Sequence, residues 1–114
     1  MTPSQHRKHR GYESQRIVAD YMAANGFPHA QSAGAGRSGS DVTGLPHGLD
    51  VEVKARRGLV ISEVMKQMKD RRGSGLQFAV LRMDGSGPAS IENWPAIISF
   101  ADLVQLLNAA GLSE

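Results

Sequence analysis

At residues 49–55 the sequence reads Leu-Asp-Val-Glu-Val-Lys-Ala, an alternation of apolar and polar side chains that predicts a β-strand. Successive side chains of a strand point to opposite faces, so Val51 and Val53 are expected to be buried. Glu52 and Lys54 are two positions apart and should project side by side from the polar face. On its own, such a Glu-x-Lys pair is usually a solvated surface pair of little energetic consequence.

Helical and extended patterns on both sides of this strand complete an α/β arrangement. Apolar side chains recur every three to four positions before Gly26 and Pro28, which end the first predicted helix. Ser62 is a candidate N-cap for a second helix, and Ser99 with Asp102 resembles a capping box for a third. The third helix is expected to bury an apolar face formed by Leu103, Val104, Leu106, Leu107 and Ala110. The order α-β-β-β-α-β predicts a mixed central sheet flanked by helices. The predicted elements are helix 10–25, strands 29–33, 40–43 and 49–55, helix 62–72, strand 76–82 and a C-terminal helix that begins at residue 99.

Length and composition favour one soluble domain. The 114 residues fit a single domain, 1–114, in which residues 1–9 are expected to form a flexible basic arm. The chain has no cysteine, which excludes disulfides and thiolate metal sites. No apolar run approaches the roughly 20 residues of a membrane helix, and no apolar stretch follows the basic N-terminus as in a signal peptide. A cytoplasmic protein with no membrane partner is therefore expected.

Positive charge is concentrated in the first two-thirds of the chain. Residues 1–72 hold 12 of the 13 Lys and Arg but 7 of the 11 acidic residues. Such clustering suits a polyanion, because neutralised phosphates release condensed counterions. A solvated basic surface explains the charge equally well. The aromatic content of 5% argues against a single-strand binder that depends on base stacking.

A second carboxylate precedes the Glu-x-Lys pair. Asp41 is separated from Glu52 by the turn-rich segment 44–48, so a hairpin would bring the two acids together. Two adjacent carboxylates repel each other unless a cation lies between them. Hard oxygen ligands favour Mg²⁺ or Mn²⁺ over zinc. Lys54 would then place a positive charge beside a metal-bound water or a pentavalent phosphate.

These residues carry a resemblance to a known family. Asp41, followed after ten residues by Glu52-Val53-Lys54, resembles the D…ExK signature of the PD-(D/E)XK nucleases. The predicted element order is similar to their restriction-endonuclease-like core, and Glu13 matches an acidic residue that many members carry on the first helix. The resemblance covers about residues 9–83. The motif departs from its name because a serine, and not a proline, precedes Asp41.

The resemblance implies specific roles for five residues. Asp41 and Glu52 would be metal ligands for Mg²⁺ or Mn²⁺, with the backbone carbonyl of Val53 as a third ligand. Lys54 would be the catalytic lysine, and Glu13 a carboxylate in the second shell or at a second metal. The expected activity is metal-dependent hydrolysis of DNA phosphodiester bonds by an endonuclease.

The resemblance also implies a substrate and an assembly. The segments 39–42 and 52–56 resemble those of archaeal-type Holliday junction resolvases and related phage-encoded nucleases, which implies four-way or other branched DNA as the substrate. Two symmetric nicks need two active sites, so a homodimer is expected. A serine near the active site is also implied, with Ser32, Ser38 and Ser40 as candidates. The residues expected to contact DNA are Arg10, Arg37, Ser38, Ser40, Arg56, Arg57, Lys66, Gln67 and Lys69.

Two other functions remain open from the sequence. One is a non-catalytic nucleic-acid-binding module on the same fold, in which the basic half binds the polyanion and the carboxylates are surface residues. The other keeps the chemistry and changes the substrate, as in a restriction or repair nuclease. One scaffold hosts many specificities, so the fold does not distinguish them.

Overall fold

The computed structural model describes residues 3–34, 39–55 and 58–114, which form three helices, five strands and a 3₁₀ helix. From the first helix to the fourth strand the order is α-β-β-β-α-β, as predicted. Among the described residues, no helix is both long and apolar enough to cross a membrane. The elements are α1 (Pro3–Ala24), β1 (Gln31–Ser32), β2 (Val42–Thr43), β3 (Asp50–Lys54), α2 (Ile61–Arg71), β4 (Gln77–Leu81), the 3₁₀ helix (Pro88–Asn93), β5 (Ala96–Ile97) and α3 (Phe100–Ala109).

The strands form two small sheets. β3 and β4 are parallel, with Asp50 opposite Gln77, and α2 is the crossover between them. β5 pairs antiparallel with β4, which makes this three-stranded sheet mixed, as predicted. β1 and β2 form a separate antiparallel pair, with Gln31 opposite Thr43. The single central sheet expected from the sequence is therefore divided in two, because β2 pairs with β1 and does not form a ladder with β3.

Helices cover both faces of the β3–β4 pair. Side chains opposite each other in a ladder share a face, so Glu52 lies on the face of Ala79 and Val53 on the face of Val80. The face of Val53 packs against α1, and the face of Ala79 packs against α2. The first buried cluster is Val18, Ala19, Met22, Ala30, Val42, Val51, Val53, Val80 and Trp94, and the second is Val64, Met68, Ala79 and Leu81.

Two predicted helix starts are wrong. α1 begins at Pro3 and not at Arg10, so it includes most of the segment expected to be a basic arm. α2 begins at Ile61, with Val60 as an N-cap that makes no side-chain hydrogen bond, and Ser62 lies inside the first turn. α1 therefore extends beyond the apolar pattern that predicted it, and the capping signal at Ser62 did not define where α2 begins.

The C-terminal helix is oriented differently from the prediction. Ser99 does cap α3, because its hydroxyl accepts a hydrogen bond from the Asp102 amide. The large apolar side chains expected to be buried are instead 37–42% exposed, and the buried residue of α3 is Asp102. Asp102 pairs with Arg72 at 2.8 Å, which attaches the first turn of α3 to the end of α2. The exposed apolar residues are Leu103, Val104, Leu106 and Leu107.

Candidate active site

Asp41 lies against the edge of β3 that does not pair with β4. Its amide donates to the carbonyl of Val51 at 2.7 Å. Its carboxylate oxygen Oδ2 accepts a hydrogen bond from the amide of Val53 at 2.8 Å. β2 begins at the next residue, so the path from Asp41 into β2 starts beside β3. The expected proximity of Asp41 to the Glu-x-Lys strand is therefore present. It comes from the hydrogen bonds of Asp41 with Val51 and Val53 and not from a regular β-hairpin.

Ser40 anchors this arrangement. Its hydroxyl accepts a hydrogen bond from the Val51 amide at 3.0 Å and donates one to the Val42 carbonyl at 2.7 Å. The serine that stands in place of the motif proline thus fastens the backbone beside Asp41 to β3. Ser40 was expected to contact DNA, and its hydroxyl is already hydrogen-bonded to the backbone of Val42 and Val51.

The polar face of β3 carries a compact cluster of acids and bases, which we call the acid–base cluster: Asp50, Glu52, Lys54 and Arg71. Lys54 Nζ lies 3.0 Å from one oxygen of Glu52, and Arg71 Nη1 lies 2.6 Å from the other. Arg71 also holds Asp50, through Nη2 at 2.6 Å and Nε at 3.2 Å. Glu52 is 7% exposed, so this face is covered and not solvated as the alternation suggested. The cover is α2, which ends at Arg71.

Two members of this environment were missed by sequence reasoning. Arg71 was not expected at the site, and Gln77 bridges Asp50 Oδ2 at 2.8 Å to the Met68 carbonyl at 2.7 Å. Gln67, which the resemblance placed near the site, is exposed one helical turn before Arg71. The signal that could have indicated Arg71 is the crossover helix, because a helix that joins two parallel strands must cross one face of them.

The electrostatic environment ties Asp41 to this cluster. Burial raises the pKa of Asp41 above its ordinary value of 3.8, and the nearby charge of Glu52 raises it further. The hydrogen bond from Val53 and the charges of Arg71 and Lys54 oppose the increase. For Arg71, burial would lower the pKa, but hydrogen bonds to Asp50 and Glu52 outweigh it and raise the pKa. Asp41 therefore lies within the field of both charges of the Glu-x-Lys pair.

This environment predicts that Asp41→Asn leaves the metal-free protein at least as stable as the wild type. Asparagine keeps an oxygen that can accept the Val53 hydrogen bond and removes a charge that burial disfavours. Asp41→Ala should be about 1–3 kcal/mol less stable than Asp41→Asn, because the Val53 amide loses its partner. Urea unfolding at pH 7 in EDTA, followed by circular dichroism, measures both differences. Equal stability of the two variants would contradict the role given to this hydrogen bond.

The pH dependence of the same comparison tests the cause. Because the pKa of Asp41 is raised in the folded protein, protonation of its carboxyl favours folding. That contribution is fully present below the unfolded pKa, near 3.8, and is lost as the pH rises through the folded pKa. The wild type should therefore gain stability relative to Asp41→Asn as the pH falls from 7 towards 4. A difference that does not change with pH would contradict this.

Glu13 lies close to a buried cation outside the acid–base cluster. Its carboxylate is 3.4 Å from the guanidinium of Arg82, which is 6% exposed and stacks 5.2 Å above the ring of Trp94. The amide of Arg82 donates to the Lys54 carbonyl at 2.8 Å, so Glu13 is linked to the end of β3 through this residue. Its assignment as a carboxylate behind the metal ligands or at a second metal stays a prediction.

The remaining residues expected to contact DNA fall into two groups. Arg10 donates to the Met83 carbonyl at 3.1 Å, and Lys66, Gln67 and Lys69 are exposed on α2. Their proposed DNA contacts remain predictions. The others lie outside the described residues: Arg37, Ser38, Arg56 and Arg57.

The donor set suits a hard divalent cation with few protein ligands. In the ranges 3–34, 39–55 and 58–114, no three His, Cys, Asp or Glu side chains are grouped so that they could hold a metal. Asp41 and Glu52 offer two carboxylates beside the same strand, and Val53 belongs to the backbone edge that Asp41 contacts. Mg²⁺ usually keeps several waters and takes one or two protein carboxylates, so this set fits it.

No protein-family model matches the chain, and no curated protein or solved structure is significantly similar to it. The fold and the site define the class: an α/β protein with a small mixed sheet flanked by helices and an acid–base cluster on the parallel strands β3 and β4. The resemblance to the PD-(D/E)XK nucleases therefore stays a hypothesis that rests on the motif residues and their arrangement.

Proposed function

We propose that this protein is a metal-dependent endonuclease that hydrolyses phosphodiester bonds in DNA. The observation that carries the proposal is the position of Asp41, which is hydrogen-bonded to the backbone between Glu52 and Lys54. Asp41 thus lies beside the short stretch of β3 that carries Glu52 and Lys54, which follow it by eleven and thirteen positions in the sequence. A purely binding surface gains nothing from a second carboxylate placed beside the Glu-x-Lys pair.

Each side chain has a distinct task in this proposal. Asp41 and Glu52 would hold Mg²⁺ or Mn²⁺, with the Val53 carbonyl as a third ligand, and the bound ion supplies Lewis-acid chemistry. Lys54 is held 3.0 Å from Glu52 and is largely covered, so its ammonium is a fixed positive charge beside the reacting phosphate. A charge that is already in place when negative charge develops at phosphorus stabilises the transition state without reorganisation.

The preferred substrate is branched DNA, with four-way junctions first, and the preferred assembly is a homodimer. Both follow from the resemblance to junction resolvases. Paired nicks require two active sites in a symmetric arrangement, which a two-fold dimer provides. The exposed apolar side chains of α3 are a candidate dimer interface.

The proposal is tested by cleavage of a labelled synthetic four-way junction and a matched linear duplex. Wild type and Asp41→Asn are incubated with each DNA in Mg²⁺, in Mn²⁺ or in EDTA. Paired symmetric nicks in the junction alone, lost with EDTA and in the variant, are expected. Equal cutting of both DNAs would keep the nuclease and discard junction selectivity. No cutting of any DNA form in Mn²⁺ would end the proposal.

One observation favours a second candidate, a non-catalytic nucleic-acid-binding module. Both oxygens of Glu52 are already paired with Lys54 and Arg71, so this acid is neutralised without a divalent ion. Such a module would bind DNA with an affinity that falls with salt and does not depend on divalent ions. Binding that is unchanged by EDTA, together with no cleavage, would favour it.

A further inference from the structure

The acid–base cluster contains a cation of its own at the place where a divalent ion would act. Arg71 contacts Glu52 Oε2 at 2.6 Å and forms a two-point contact with Asp50. The guanidinium thus occupies the oxygen of Glu52 that Lys54 does not contact. A divalent ion that binds Glu52 must either share this oxygen with Arg71 or displace it.

Arg71 is placed so that it can leave. It is the last residue of α2, and its side chain is 27% exposed, whereas that of Glu52 is 10% exposed. After departure of Arg71, Gln77 would still donate to Asp50 and Lys54 would still contact Glu52. Neither acid would then be left without a polar partner. The cost of moving Arg71 is consequently the loss of its two-point contact with Asp50, because the incoming ion replaces its contact with Glu52.

We propose that Arg71 is a built-in competitor of the divalent cation, which neutralises Glu52 in the metal-free protein and sets how tightly the metal binds. This inference rests on the proposed function, because it takes Glu52 as a metal ligand. Two cations that need the same carboxylate oxygen bind it in competition, and each destabilises the complex with the other. Like charges a few ångströms apart in a partly buried site also repel each other directly.

A different role for Arg71 makes the opposite prediction. If Arg71 only orients Glu52 for metal binding, its removal should weaken the metal complex. If it competes, its removal should strengthen the complex and leave the metal-free protein less stable. The sign of the change in metal affinity therefore distinguishes the two roles.

The experiment titrates MnCl₂ into the full chain by isothermal calorimetry, without DNA, for wild type, Arg71→Gln and Arg16→Gln. Arg16 is exposed on α1, so the control removes the same charge away from the cluster. For Arg71→Gln the dissociation constant should fall about tenfold or more, an effect expected for removal of a like charge at this separation. Its melting temperature should be lower in EDTA and should rise more with Mn²⁺ than that of the wild type. The control should bind Mn²⁺ like the wild type.

Each outcome has one meaning. Equal or weaker Mn²⁺ binding by Arg71→Gln, with binding by the wild type that Asp41→Asn abolishes, overturns the competition and leaves the proposed function standing. Absence of Mn²⁺ binding in both wild type and Arg71→Gln overturns both. If Arg71→Gln does not fold, Arg71→Met decides, because it keeps much of the length of the side chain and removes the charge. Tighter binding than wild type then supports the competition, and equal or weaker binding overturns it.

Discussion

Glu52→Gln is expected to lower the rate of DNA cleavage about a thousandfold, in the range found when a single group that stabilises transition-state charge is removed. Glutamine keeps the shape of the side chain but cannot supply a charged ligand. It also removes the negative charge that pairs with the ammonium of Lys54 at 3.0 Å, so the proposed catalytic lysine is held less firmly. Single-turnover cleavage of labelled junction DNA at saturating Mn²⁺ measures the effect.

The matched control is Glu63→Gln. Glu63 is exposed in the first turn of α2, so the substitution changes the net charge equally without touching the acid–base cluster. It should cleave at the wild-type rate. Circular dichroism shows whether Glu52→Gln is folded, which is needed because Arg71 loses one of its two acidic partners. A folded Glu52→Gln that cleaves within a few-fold of wild type would remove Glu52 from the catalytic centre.

Gly75→Ala is expected to destabilise the protein by about 3 kcal/mol, at the upper end of the usual cost of overpacking. A Cβ atom at Gly75 would overlap the backbone carbonyl of Gly48 and lie close to that of His47. Both contacts are with backbone, and His47 and Gly48 already have positive φ angles of 59° and 68°. His47 and Gly48 lie in the loop before β3, and Gly75 lies in the loop before β4. The Asp50 amide donates to the Leu76 carbonyl at 2.9 Å immediately after these residues, so the two loops cannot separate freely.

Gly73→Ala is the control for this substitution. A Cβ atom at Gly73 would meet no atom within 4 Å, so the change should alter the unfolding free energy by less than about 0.5 kcal/mol. Urea unfolding of the two variants side by side gives the difference. Equal stability of Gly75→Ala and Gly73→Ala would show that the two loops can move apart at little cost. The close contact of Gly75 with His47 and Gly48 would then contribute little to the position of β3 and of the acid–base cluster on it.

The local pattern of the sequence predicted the elements that build the site. The alternation in residues 49–55 predicted β3, and Val51 and Val53 are buried on one face as expected. The cap at Ser99 is also confirmed, since it needs only its own hydroxyl and an amide three residues later. Such features are local, because the period of the side chains and the capping geometry depend on neighbouring residues alone.

The tertiary structure decided what covers each face. Alternation showed that Glu52 is on the polar face, but it could not show that α2 covers this face and brings Arg71 to 2.6 Å from it. In the same way, the apolar pattern of α3 indicated a buried face, whereas these side chains are exposed and Asp102 is buried. Periodicity specifies which side chains share a surface. What meets that surface depends on contacts between residues distant in the sequence, as for Glu52 and Arg71, and these are set only when the whole chain packs.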